Sequence, residues 1–357
     1  MLPGLLACVA VAVVARLVGA SLQLGLETAI ALAVGLVIGS VGAIRTALLP
    51  GAALAARFAL RLGIMLLGAR LTLGQLVETG GASLLAITAV VTVALVLGTW
   101  LARRLGVRPP LSALITVGMA ICGNSAILAL APIVRAPHRE TAYAVSTITL
   151  FGLIGVLCLP LLGVALGLSD ATFGVWAGLA VNDTAQVVAT GFAFSPAAGD
   201  VATVVKLTRN LAILPVLLGA TWLTVRSAAA AGVEATGPKG ASSAAGSPVR
   251  LFARAVPWFV IGFVVFAGLR TLGLLDVVLP TGGTLADLCS IAAAVLILVA
   301  LAGVGISTDL RAMLGVGARP FLLGVSMWVV IVLLGLVLAL AVTGAMGTAA
   351  AAVYHAA

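Results

Sequence analysis

Residues 121–132 read ICGNSAILALAP, and this stretch decides how the fold is read. An apolar run stops at Cys122-Gly123-Asn124-Ser125 and then resumes. The surrounding chain is 63% hydrophobic and only 8% charged, against about 25% charged in a soluble domain. Apolar runs long enough to cross a bilayer, roughly 18 residues or more, recur along its length. The fold class is therefore an all-α polytopic membrane protein. Inside a bilayer, loosened backbone is tolerated only where protein buries it or where it lines a cavity. Gly123 loosens the helix, and Asn124 and Ser125 offer side-chain partners to the freed backbone groups. A half-helix starting here turns its positive end inward, which suits an anion. The competing reading is a packing kink between helices.

Eleven apolar segments are expected, over residues 2–18, 24–41, 54–73, 83–105, 111–134, 141–166, 173–194, 201–225, 251–272, 285–306 and 320–342. The fifth and seventh carry polar interruptions, and either could cross fully or re-enter. The chain reads as one integral membrane domain: residues 1–226 hold eight helices, 227–249 form a flexible Gly/Ser/Pro/Ala loop, and 250–357 hold three more. If all eleven segments cross, Arg135 and Arg139 lie opposite the face that holds most of the arginines. The arginine-rich face is the cytoplasmic one. The net charge of +9 reflects this loop bias. No basic run or aromatic platform suggests nucleic acid.

A second interruption, LAVNDTAQVVAT over residues 179–190, holds Asn182, Asp183 and Thr184. Aligning the two interruptions sets Gly123-Asn124-Ser125-Ala126 against Asn182-Asp183-Thr184-Ala185. Asp183 falls near the middle of its segment, where a charge costs several kcal/mol unless a cation pairs with it or it carries a proton. Lys206 and Arg209, three apart in VVKLTRNLAILP, share a helix face. They are expected to supply positive charge to an anion site or to neutralise Asp183. Arg57 and Arg61 are four apart near the start of the third segment and are expected to snorkel to the surface. A faint repeat pairs Gly68, Leu73, Gly80 and Leu85 with Gly305, Leu310, Gly317 and Leu322. Its host segments, third and tenth, run in opposite senses, as an inverted repeat requires.

No catalytic constellation stands out: there is no HExxH, Walker loop or Ser/His/Asp set. The four cysteines lack metal spacing. No enzyme activity, metal or cofactor is expected.

The blocks LRLGIMLLGARLTL (60–73), ICGNSAI (121–127), WAGLAVNDTAQVVA (176–189) and VKLTRNLAILP (205–215), in this order, resemble the sulfate exporter family, the YeiH-like membrane proteins. The resemblance covers nearly the whole chain. It implies a secondary transporter related to the cation/proton antiporter and bile-acid symporter superfamily. Such proteins have 10–11 transmembrane helices, inverted repeats and discontinuous helices that cross near the midplane. By position, the broken-helix motif falls on Gly123, Asn124 and Ser125, the polar motif on Asn182, Asp183 and Thr184, and the cationic motif on Lys206 and Arg209. The family pattern has His before the Asp and Ala after the Gly, where this chain has Asn182 and Asn124. Asn does not titrate, so a proton role does not transfer to position 182. The expectation is an inner-membrane exporter of sulfate or a sulfonate-derived anion, working by alternating access. A coupled proton or Na⁺, the lipid bilayer and a homodimer are the partners it allows. The rivals are a cation/proton antiporter built on Asp183 and a passive anion channel.

Overall fold

The computed structural model describes residues 1–22, 27–230, 258–280, 282–308 and 317–355. Among them the chain is almost entirely helical. The helices are α1 (Leu2–Leu22), α2 (Glu27–Ser40), α3 (Gly42–Leu54), α4 (Leu60–Leu67), α5 (Leu73–Leu105), α6 (Pro109–Ala120), α7 (Asn124–Leu130), α8 (His138–Ala165), α9 (Asp170–Ala180), α10 (Thr184–Phe194), α11 (Pro196–Asn210), α12 (Ile213–Ala230), α13 (Trp258–Thr271), α14 (Leu285–Ser307) and α15 (Ala318–His355). A π-helical turn over Ala55–Ala59 joins α3 to α4, and a 3₁₀ turn over Gly68–Arg70 ends that rod. Among the described residues seven stretches are long and apolar enough to cross a membrane, including Ile44–Arg70, Leu73–Leu105 and Pro196–Trp222. The chain is thus a multi-pass membrane protein, as its composition requires. The loop expected over 227–249 lies outside the described residues from 231 onward, while 227–230 continue α12. Leu310 of the faint repeat is likewise outside them.

The two interrupted segments do not cross. Asp170 opens α9 and Ser195 follows α10, yet Ser195 Oγ donates to Asp170 Oδ1 at 2.6 Å. Phe173 and Phe194, near the same two ends, stack with centroids 4.0 Å apart. Gly174 of α9 and Gly191 of α10 both pack against the first turns of α11, around Ala198. Both ends of α9–α10 therefore lie on one face, and the pair is a re-entrant hairpin. The pair α6–α7 behaves alike. Arg108 and Leu111, where α6 begins, line one cavity together with Arg139 and Tyr143, where α8 begins. The chain that leaves through α6 and returns through α7 has come back to its starting face.

The α6–α7 hairpin enters from the face that holds the N-terminus, and α9–α10 enters from the opposite face. Two re-entries cancel, so the helices after them keep the sense the sequence implied. One consequence differs from expectation. Arg135 and Arg139 join Arg45, Arg103, Arg104, Arg108 and Arg319 on the N-terminal face, against Arg16, Arg70 and Arg270 on the other. The charge bias that marks a cytoplasmic face is thereby sharper than eleven full crossings would give.

Two apolar cores pack the helices, and hairpin residues enter both. One is built from α5, α6, α8, α9 and α15, including Trp176, whose indole N–H donates to Val332 O at 2.8 Å. The other is built from α1, α2, α3, α4, α13 and α14. Helices in lipid associate through close packing rather than hydrophobic expulsion. Accordingly Gly305 of α14 sits against the backbone of Leu32 and Gly35 in α2, where a methyl would lie 2.5 Å from Leu32 O.

Candidate functional site

The hairpin tips are matched breaks of three residues. Residues 121–123 separate α6 from α7, and residues 181–183 separate α9 from α10. This register sets Gly123 against Asp183, one residue away from the alignment read in the sequence. The tips touch: Asn124 Nδ2 lies 3.4 Å from Asp183 Oδ2. Each break frees carbonyls at the C-terminal end of its first half-helix, where the helix dipole is negative.

Lys206 and Arg209 of α11 occupy that position, both fully buried. Lys206 Nζ donates to Ile121 O at 2.8 Å and to Val181 O at 3.3 Å, the equivalent carbonyls of the two tips. The Arg209 fork repeats the pattern. Nη2 donates to Met119 O at 2.8 Å, and Nη1 to Leu179 O at 2.7 Å. Nε and Nη2 also reach Ala120 O at 3.1 and 3.0 Å. Neither cation is among the residues that line the cavity on the other side of the tips. The sequence reading gave these two cations to an anion site or to Asp183; the contacts they make here tie the two tips together. Asn182 is also fully buried, with Oδ1 3.4 Å from Arg209 Nη2, so it too lies behind the tips. Gly123 turns the chain between the half-helices at φ +61°, ψ −120°. A side chain there is strained and meets Ile148 at 3.2 Å. Gly123→Ala is expected to destabilise the protein by roughly 1–3 kcal/mol, read as a lowered melting temperature in detergent.

On the other side of the tips lies a cavity of about 550 Å³. Asn124, Ser125, Asp183 and Thr184 line it. Asp183 also caps α10, its Oδ1 accepting from Ala185 N at 2.9 Å. The facing wall holds two residues that the sequence reading sent to the surface, Arg57 and Arg61. Arg57 is the midpoint of the 27-residue span Ile44–Arg70, about 20 Å from either end at 1.5 Å per residue. At that distance from both ends the exposed side chain of Arg57 opens on the cavity. The π turn carries Arg57 at its centre, and such turns favour functional sites. Ser146, Thr149, Gln186, Ser307 and Thr308 complete the polar lining. Asn124 Oδ1, Gln186 Oε1 and Ser307 Oγ are buried there without protein partners. Asp183 is the lone carboxylate among the lining residues. Among the described residues no acidic side chain pairs with Arg57 or Arg61. Phe259, Ser307 and Thr308 sit at helix ends on the N-terminal face, so the cavity leads toward that face.

Two re-entrant hairpins that enter from opposite faces and meet beside a polar cavity belong to a polytopic, all-α membrane protein. The chain belongs to the family described as conserved hypothetical protein 698, whose model matches residues 3–324. Its relatives are named as UPF0324 membrane proteins. That of Clostridium tetani is 32% identical over 319 residues, covering 89% of this chain and 88% of the relative. That of Bradyrhizobium diazoefficiens is 33% identical over 326 residues, covering 89% and 87%. That of Streptococcus mutans is 31% identical over 339 residues, covering 94% and 95%. No solved structure matches the chain.

Proposed function

We propose that this protein is a secondary transporter of the inner membrane that exports a small oxyanion, sulfate or a sulfonate-derived anion. The observation that carries the reading is the pair Arg57 and Arg61, held at mid-membrane against a cavity with one opposing carboxylate. An unpaired cation at that depth is costly, and a bound anion offsets the cost. Arginine forks match sulfur and phosphorus oxyanions. Hydroxyls of Ser125, Ser146 and Thr184 supply further donors. Asp183 sits where it senses the substrate's charge and can couple a proton or cation to transport. Lys206 and Arg209 act as the clamp that fixes both tips, not as ligands.

Alternating access requires the cavity to close on one face and open on the other. On the face away from the cavity mouth, Arg70 Nη2 pairs with Asp200 Oδ2 at 3.1 Å and lies over the Phe192 ring. This contact joins the end of the α3–α4 rod to α11 and serves as the closed outer gate. Asp200→Asn is expected to favour the outward-open state. Labelling of a Ser307→Cys thiol from the cytoplasmic side should fall several-fold, and unchanged labelling would remove the gate from the account.

The test of the function itself is radiolabelled sulfate flux in proteoliposomes. Saturable uptake, competed by unlabelled sulfate, supports it. Flux that ignores sulfate but follows Na⁺ or pH, and that is lost in Asp183→Asn, would replace it with the antiporter. The position of Asp183 on the cavity wall is what favours that second reading.

A further inference from the structure

A second cavity, about 330 Å³, lies on the N-terminal face at the base of the α6–α7 hairpin. It shares no lining residue with the larger cavity. Arg108, Arg139, Glu140, Tyr143 and Arg319 line it.

Three helices begin on this cavity. Arg108 is the N-cap of α6, and Arg139 and Arg319 are the second residues of α8 and α15. Neither Arg108 nor Pro137, the cap of α8, caps its helix with a side-chain hydrogen bond. Helix starts carry partial positive charge and attract anions, whereas cations are favoured at helix ends. Three arginines at three helix starts therefore repel both the dipoles and one another. Among the described residues no ion pair relieves them, although Glu140 is in the same wall. Glu140 Oε2 is buried without a hydrogen-bond partner. Loop bias accounts for arginines on this face, but not for their convergence on one cavity that helix starts already make positive.

We propose that this cavity binds a phosphate-bearing anion. Three arginine charges less one glutamate leave the wall at +2, which suits a dianion, and each guanidinium can take two phosphate oxygens. The cavity lies at the membrane surface, so the phosphate is either free in solution or the headgroup of an anionic lipid. Basic pockets between transmembrane helices on this face hold such headgroups. The inference does not depend on what the larger cavity transports.

The full-length protein in nanodiscs of neutral phosphatidylcholine is titrated with inorganic phosphate at constant ionic strength in chloride, and its melting temperature is followed. A parallel series replaces part of the lipid with phosphatidylglycerol. A ligand of the folded state raises the melting temperature in a saturable way. A rise with phosphate in neutral lipid identifies the free anion, and a rise only with phosphatidylglycerol identifies the headgroup. In either case Arg319→Gln should weaken the response about tenfold, the effect of losing one charged contact. Glu140→Gln should strengthen it. Arg319 is exposed, so its replacement leaves the fold intact. If neither ligand moves the wild-type protein, or if Arg319→Gln responds as wild type does, the proposal is overturned.

Discussion

Arg57→Ala is expected to cut sulfate flux at sub-saturating concentration by roughly 10- to 150-fold and to leave the protein folded. A hydrogen bond to a charged group contributes about 1.5–3 kcal/mol, which converts to that range of affinity. The loss should appear as a raised KM, because Arg57 holds the anion in each state that binds it. Removing Arg57 breaks no ion pair: the residue lines the cavity and pairs with no acidic side chain among the described residues. Arg57 is exposed to the cavity, so the melting temperature in sulfate-free buffer should stay near wild type. Arg57→Lys, which keeps the charge but not the fork, should fall between. Flux in proteoliposomes at several sulfate concentrations, beside melting curves, checks both parts.

The opposite pattern is expected of Arg209→Met. This change leaves the carbonyls of Met119, Ala120 and Leu179 buried without the donor that each now has. Each unsatisfied group costs about 1–3 kcal/mol, so the sum approaches the 5–15 kcal/mol that stabilises a typical domain. The protein should express poorly and melt far below wild type, with or without sulfate. Lys206→Met should behave alike but less severely, since Lys206 bonds only Ile121 and Val181. If Arg209→Met keeps wild-type stability and loses only transport, then Arg209 is a ligand and the clamp reading fails.

These two arginines show what the sequence made legible and what it hid. Both are midpoints of 27-residue spans, Ile44–Arg70 and Pro196–Trp222. Hydropathy started the first of these spans at residue 54, because Arg45 and Pro50 depress the window before it. Arg57 then seemed to be three residues inside the membrane and free to snorkel. The helix in fact begins twelve residues earlier, at Gly42, which puts Arg57 at the centre. The four-residue spacing of Arg57 and Arg61 was visible; their depth was not. For Arg209 the depth was legible but the partners were not. Backbone carbonyls carry no sequence signal, and only the tertiary meeting of two tips shows that the cation caps helix ends instead of facing a solute.

The interruptions at Gly123 and Asp183 were readable because a bilayer punishes loose backbone wherever it is not used. Whether the broken helices cross or return was not readable. Segments of 111–134 and 173–194 are long enough for a crossing, and only contacts such as Ser195 with Asp170 decide against it. The all-α, multi-pass architecture followed from composition alone, since so few charges cannot cover a soluble surface.

The central claim is that an oxyanion occupies the cavity between Arg57 and the hairpin tips. Ser307 lies on the cavity wall near its mouth, so its thiol variant reports occupancy directly. Ser307→Cys is labelled with a membrane-impermeant maleimide from the cytoplasmic side, in a background where the exposed Cys158 and the half-buried Cys289 are replaced by serine. Labelling is then repeated with rising sulfate at constant ionic strength. The account predicts labelling that sulfate suppresses saturably, with protection lost when Arg57→Ala is added. Labelling that sulfate leaves unchanged, while the protein remains folded, would contradict it.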